Sequence, residues 1–203
     1  MSMIAIASLT IHDVKNKLAS IAGVAEMHGD EDTVRAMLHA SELLTQLLVF
    51  FRAEHHDLAL NIAPHTPEDL IAEIAINQYT KRQIVVCTDT SNAPAIWMYD
   101  EALIRMILMN ALQNALRYAH RGVAISAKQT GDFLEICVKD DGPGFPSELI
   151  ANEAFSAPVS AHGTGLGLML AKRVAALHQQ GERQGHIHLF NENGAVFMLR
   201  LPA

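Results

Sequence analysis

Asn110-Ala-Leu-Gln-Asn114-Ala-Leu-Arg117-Tyr118 sets two carboxamides four residues apart. On a helix that spacing stacks both on one face, a turn apart. The surrounding apolar period predicts such a helix from Glu101 to about Ala119. An amide oxygen is a neutral, hard ligand that suits Mg²⁺ already carrying phosphate oxygens and water. Arg117 stands where it can meet phosphate. Two amides can equally be capping or solvated groups, and on these residues alone both readings stand.

Two segments downstream favour the first. Val138-Lys-Asp140-Asp141-Gly142-Pro-Gly144-Phe145 closes a run read as a strand over Phe133–Lys139. Glycine there admits a ligand close to the backbone, and a neighbouring carboxylate can accept from an exocyclic amine such as adenine N6. Gly163-Thr164-Gly165-Leu166-Gly167 then runs into an apolar helix expected to end at His178. Free amides at a helix start make an anion site. A dinucleotide fold is excluded, since no βαβ unit precedes this loop.

Upstream, Ile11, Val14, Leu18, Ile21 and Ala25 alternate three and four apart, predicting one apolar helix face. Gly29 can end that helix and Asp30 can cap the next. Val34, Met37, Ser41, Leu44, Leu48 and Phe51 repeat the rhythm in the second helix. A hairpin with one stripe per helix cannot bury both alone, whereas two copies can, as a four-helix bundle. A homodimer is therefore expected.

The remainder reads as mixed. A connector follows with a short strand near Leu58–Leu60, and Thr66-Pro67-Glu68-Asp69 opens a helix reaching about Tyr79. Strands are expected near Gln83–Cys87, Ala95–Met98, Gly122–Ala127, Phe133–Lys139, His186–Phe190 and Ala195–Leu201. The expected fold class is α+β: residues 1–55 as the dimerising hairpin, and 56–203 as an antiparallel sheet with helices on one face.

In order and spacing the three segments resemble the N, G1 and G2 boxes of the GHKL ATPase superfamily, which holds the histidine kinases and gyrase. The tail agrees, with Leu177-His178, Ile187-His-Leu and Val196-Phe-Met-Leu-Arg-Leu-Pro. At the other end, Ile11-His12-Asp13-Val14-Lys15-Asn16-Lys17-Leu18 looks like the phosphoacceptor box of histidine kinases, with Lys17 where that family usually has proline. His12 falls on the solvent side of its stripe, where a neutral imidazole is a competent nucleophile and Asp13 can hold its tautomer.

The resemblance implies a Bergerat-type α/β sandwich that binds ATP and Mg²⁺. Asp140 would read adenine and Asn114 would hold the metal. Asn110 and Arg117 would support metal and phosphates, with Tyr118 flanking the nucleotide. Gly142 and Gly144 would let the backbone approach, and Gly163, Thr164, Gly165, Leu166 and Gly167 would form the lid hinge and its amides. It further implies autophosphorylation of His12, transfer to an aspartate of a response-regulator receiver domain, and phosphatase activity in which Asn16 takes part. Two alternatives stay open: a histidine phosphotransferase relay of the same fold, and a dimeric nucleotide-binding module without catalysis.

Composition sets outer bounds. A formal charge of −7 argues against a nucleic-acid partner. Met1 to Leu9 lacks the basic start and long apolar core of a signal peptide or membrane span, so no membrane segment is expected in this chain. Cys87 and Cys137, both in apolar runs and in no C-x-x-C pair, read as buried thiols in a reducing cytoplasm. The expectation is a cytoplasmic kinase core served by a separate sensor protein.

Overall fold

A computed structural model of the chain describes residues 3–76, 84–151 and 165–203. The chain divides into two compact units, Met1–Ala59 and Leu60–Ala203. The first is a hairpin of two helices, α1 (Met3–Met27) and α2 (Glu31–Glu54). Its turn follows from its residues. Gly29 adopts φ +68°, which glycine takes without strain. Asp30 caps α2, accepting from Thr33 N at 3.1 Å and Thr33 Oγ1 at 2.6 Å.

The apolar face of α1 differs from expectation. Ile11, Ala22 and Ala25 are buried and Leu18 is half-buried, whereas Val14 and Ile21 stay 38% and 48% exposed. Ile6, Leu9, Val24 and Met27 are exposed with them. The helix thus has two apolar stripes, one packed on α2 and one uncovered within a single chain. Lys15 Nζ ties the pair together, donating to Thr45 Oγ1 at 2.9 Å. By length and composition alone α2 is apolar enough to cross a bilayer, which the expectation of no membrane segment did not foresee. Glu42 at mid-helix and the buried Gln46 suit a bundle helix better.

The second unit is built from β1 (Ala63–His65), α3 (Pro67–Ile76), β2 (Val85–Asn92), β3 (Trp97–Tyr99), α4 (Glu101–Tyr118), β4 (Gly122–Thr130), β5 (Phe133–Asp140), α5 (Ser147–Ala151), α6 (Leu166–Leu177), β6 (Gln179–Gln180), β7 (Arg183–Gln184), β8 (His186–Asn191) and β9 (Ala195–Pro202). Its main sheet runs β2-β4-β5-β9-β8, with α3, α4 and α6 packed on it. On β5, Leu134, Ile136, Val138 and Asp140 are all buried, as the two-residue period requires of the face under α4.

Four expectations are corrected. The sheet is mixed, because β2 pairs parallel with β4: the chain returns through α4, and a crossover brings strands side by side in one direction. The first short strand lies at Ala63–His65, where it can pair with β3, and not at Leu58–Leu60. Cys87 is exposed on the edge strand β2 and Cys137 is half-buried, so neither is the sealed thiol expected. The short α5 and the β6–β7 pair, too brief for any period to show, were not anticipated. The expected ends at Tyr79 and Gln83 fall outside the described residues.

A polar hub fixes the start of α4. Asp100 is buried; its Oδ1 accepts from Leu103 N at 3.1 Å and its Oδ2 from Asn61 N at 2.8 Å. The Asp100 N–H donates to His178 Nε2 at 3.1 Å, and His178 Nδ1 lies 2.9 Å from the Val174 carbonyl, an acceptor only. The imidazole is therefore neutral with its proton on Nδ1. Burial pushes the His178 pKa below its ordinary value. A lowered histidine pKa means that the unfolded chain binds the extra proton first, so stability is full above about pH 6.5 and falls as pH drops through that region. One proton gives at most about 1.4 kcal/mol per pH unit. Thermal melts from pH 7.5 to 5 should show this slope, and His178→Gln should flatten it. Parallel curves for the two proteins would reject the assignment.

Candidate functional site

In the first unit, His12 sits on α1 with its side chain 72% exposed. Asn16, one turn further on, places Nδ2 3.3 Å from His12 Nδ1. Asp13 Oδ1 lies 3.6 Å from the same nitrogen, beyond hydrogen-bond distance. Asn16, rather than the Asp13 expected, is thus the nearer polar contact of the ring. Donation from its amide nitrogen suits a ring protonated on Nε2. Rotation of the carboxamide, or approach of Asp13, would instead accept from Nδ1–H and leave the Nε2 lone pair facing solvent.

In the second unit three separate segments meet. Asn110 and Asn114 project from one face of α4, as their spacing predicts, and Asn114 Nδ2 donates to Asn110 Oδ1 at 3.0 Å. With its nitrogen committed, the exposed Asn114 presents its carbonyl oxygen, the atom a hard cation needs. Gly167, in the first turn of α6, packs directly on the Asn110 carboxamide, and a Cβ there would overlap it. That contact sets the start of α6, the positive end of its dipole, beside the asparagine pair. Gly165, at φ +69°, is the residue that enters this helix, followed by Leu166. Gly163 and Thr164 lie outside the described residues.

The other end of α4 meets the strand β5. A Cβ on Gly142 would collide with the Tyr118 carbonyl, so glycine is what lets the loop after β5 lie against the last turn of α4. Arg117 and Tyr118 are exposed there. Asp140 is buried, and its Oδ1 accepts from Gly142 N at 2.8 Å and Ala195 N at 3.2 Å. Both bonds fall on one oxygen, which leaves Oδ2 as the acceptor for a ligand.

The adjacent Asp141 does something different. Its carboxylate accepts from the backbone N–H groups of His120, Arg121 and Gly122 at 2.8 to 3.2 Å, closing the turn between α4 and β4. Those bonds, Arg121 foremost, hold its pKa below the ordinary carboxylate value. Asn191 was also missed by sequence reasoning. Its Oδ1 accepts from Phe145 N at 2.7 Å and its Nδ2 donates to Phe145 O at 2.9 Å. The turn-forming string Asn191-Glu-Asn-Gly194 was the available signal, but it marks a hairpin and not a partner.

Comparison with known proteins bears on the family and the fold. The family described as histidine kinase-, DNA gyrase B-, and HSP90-like ATPase matches residues 99–203. The sensor protein QseC of Escherichia coli (strain K12) is 30% identical over 186 residues, covering 82% of this chain and 41% of that protein. This chain therefore spans well under half the length of that relative. Among solved structures, full-length ShkA in complex with AMPPNP superimposes with a TM-score of 0.75 at 24% identity, covering 99% of this chain and 46% of that one. The catalytic domain of histidine kinase ThkA gives 0.61 at 27% identity, covering 70% of this chain and 98% of that one.

Proposed function

Because the chain belongs to the histidine kinase-, DNA gyrase B-, and HSP90-like ATPase family, we propose that it is a protein histidine kinase core, which phosphorylates His12 from ATP and passes the phosphoryl group to an aspartate of a response-regulator receiver domain. The observation that carries this reading is the meeting of Asn110, Gly167, Gly142 and Asp140 around α4. The residues present fit the nucleotide. A buried carboxylate offers one unused oxygen for the adenine amine, and an exposed amide oxygen can face a metal beside the start of α6.

Asp140 would bind the base and Tyr118 would flank it. Asn114, supported by Asn110 and Arg117, would hold Mg²⁺, which neutralises charge on the triphosphate. The α6 amides from Gly165 to Gly167, with Gly163 and Thr164, would line the phosphates. His12 Nε2 would attack the γ-phosphorus as the ADP oxygen leaves, and Asp13 would take the Nδ1 proton as charge develops. For a loose phosphoryl-transfer transition state, such positioning and electrostatic support supply most of the catalysis. Asn16 would orient a water for attack on the receiver's aspartyl phosphate. A cytoplasmic location and a separate sensor protein suit this role.

The test is a titration of the purified chain with labelled ATP and Mg²⁺. Binding with acid-labile, alkali-stable label is the expected result. Binding without label would make the chain a nucleotide-binding module, and no binding would make it a phosphate relay. The complete constellation on α4 speaks against the relay.

The uncovered stripe on α1, including Val14 and Ile21, supports a homodimer through residues 1–55. At tens of micromolar, light scattering should give twice the chain mass for the whole protein. A chain starting near residue 60 should be monomeric and still bind ATP. A monomeric whole chain would refute the bundle.

A further inference from the structure

The loop after β5 is fastened at three points to one hairpin, that joining β8 to β9. Ala195 N donates to Asp140 Oδ1 at 3.2 Å. Gly194, at φ +136°, lies so close to the Asp140 carbonyl that no side chain fits between them. At the far end of the loop the Asn191 carboxamide pairs with both backbone groups of Phe145, at 2.7 and 2.9 Å. Gly144 lies flat on that amide at φ +85°, where a Cβ would meet Asn191 Cγ at 2.7 Å. Lys139 Nζ to Glu192 Oε2, at 2.6 Å, pins the same hairpin beside the strand end. The loop from Asp140 to Phe145 is thus anchored at both ends by β8–β9, while its middle rests on the Asp140–Gly142 bond and on residues 118–122.

We propose that Asn191 is a positioning residue for the base end of the nucleotide site, holding residues 142–145 so that Asp140 Oδ2 faces the exocyclic amine of adenine. This rests on the nucleotide reading above. A carboxamide suits the role because one planar group both accepts and donates, satisfying Phe145 N–H and C=O together. An aspartate could accept from Phe145 N but would oppose Phe145 O, and alanine would make neither bond. Because Asn191 acts through the loop at the base end and not on the phosphates, its loss should be felt in the choice between bases.

The experiment compares ATP with inosine triphosphate, which carries an oxygen in place of the exocyclic amine. Wild type should prefer ATP, and Asn191→Ala should lower ATP affinity about tenfold with inosine triphosphate affinity nearly unchanged. Asn191→Asp should fall between them, and melting temperature monitors folding throughout. If Asn191→Ala proves unstable, Asn191→Ser, which keeps a single hydroxyl bond, serves as the graded substitute. An unchanged ATP preference in a folded Asn191 variant, with wild type still discriminating, would overturn the positioning role alone. No discrimination by wild type would overturn the nucleotide reading, and this inference with it.

Discussion

His12→Ala is expected to abolish phosphorylation from ATP completely while leaving ATP affinity within about twofold of wild type, the tolerance ordinary for sites with no shared partners. The two halves of this expectation rest on separate facts. The imidazole is the candidate nucleophile, so its removal leaves no acceptor. It also lies in the unit Met1–Ala59, whereas every residue assigned to the nucleotide lies in Leu60–Ala203. Alanine favours helix, and the exposed His12 side chain bears no core packing, so α1 should survive the change. Asn16→Ala should separate the activities: it removes the amide 3.3 Å from the ring, yet leaves the nucleophile. Autophosphorylation should persist, and loss of phosphate from the receiver partner, with ADP and kinase present, should slow. Acid-labile label surviving in His12→Ala would overturn the assignment. Equal partner decay for Asn16→Ala would reduce that residue to surface.

The contrast between what was legible and what was not runs along sequence distance. Gly29-Asp30 stops one helix and starts the next through residues at most five apart, and this was readable. So was the shared face of Asn110 and Asn114, which follows from helix geometry alone. Asp140 continues the buried alternation of Leu134, Ile136 and Val138, and its inward direction needed only a period of two. Asp141 was not legible in the same way: its partners, the amides of residues 120–122, lie about twenty residues back, and only the fold turns them toward it. The Asn191–Phe145 pair spans 46 residues and the His178–Asp100 pair 78. The place of β1 was likewise decided by its pairing with Trp97–Tyr99, which no local propensity encodes. Val14 and Ile21 show the converse case. Their periodicity was plain, but whether each would pack on α2 or stay uncovered in the single chain was not.

Asp140→Asn and Asn114→Ala should fail in different ways, and the difference tests the site more sharply than either loss. Asparagine at 140 has the shape of aspartate, and its carbonyl oxygen can still accept from Gly142 N and Ala195 N. The fold should therefore hold. Its NH₂ then stands where Oδ2 stood, so a donor confronts the donor amine of adenine. A buried polar group left without its partner costs about 1–3 kcal/mol, which lowers ATP affinity roughly 5- to 150-fold. This loss should appear equally with and without Mg²⁺. Asn114→Ala removes the oxygen offered to the metal and the bond to Asn110 Oδ1, and touches nothing at the base. Binding measured in excess chelator should be almost unchanged, while the gain on adding Mg²⁺ should shrink and label transfer should fall further than affinity. Titrations of both variants in chelator and in Mg²⁺, each followed by a labelling time course, resolve the pattern. Wild-type binding and transfer in both variants would mean that the nucleotide lies elsewhere on the molecule.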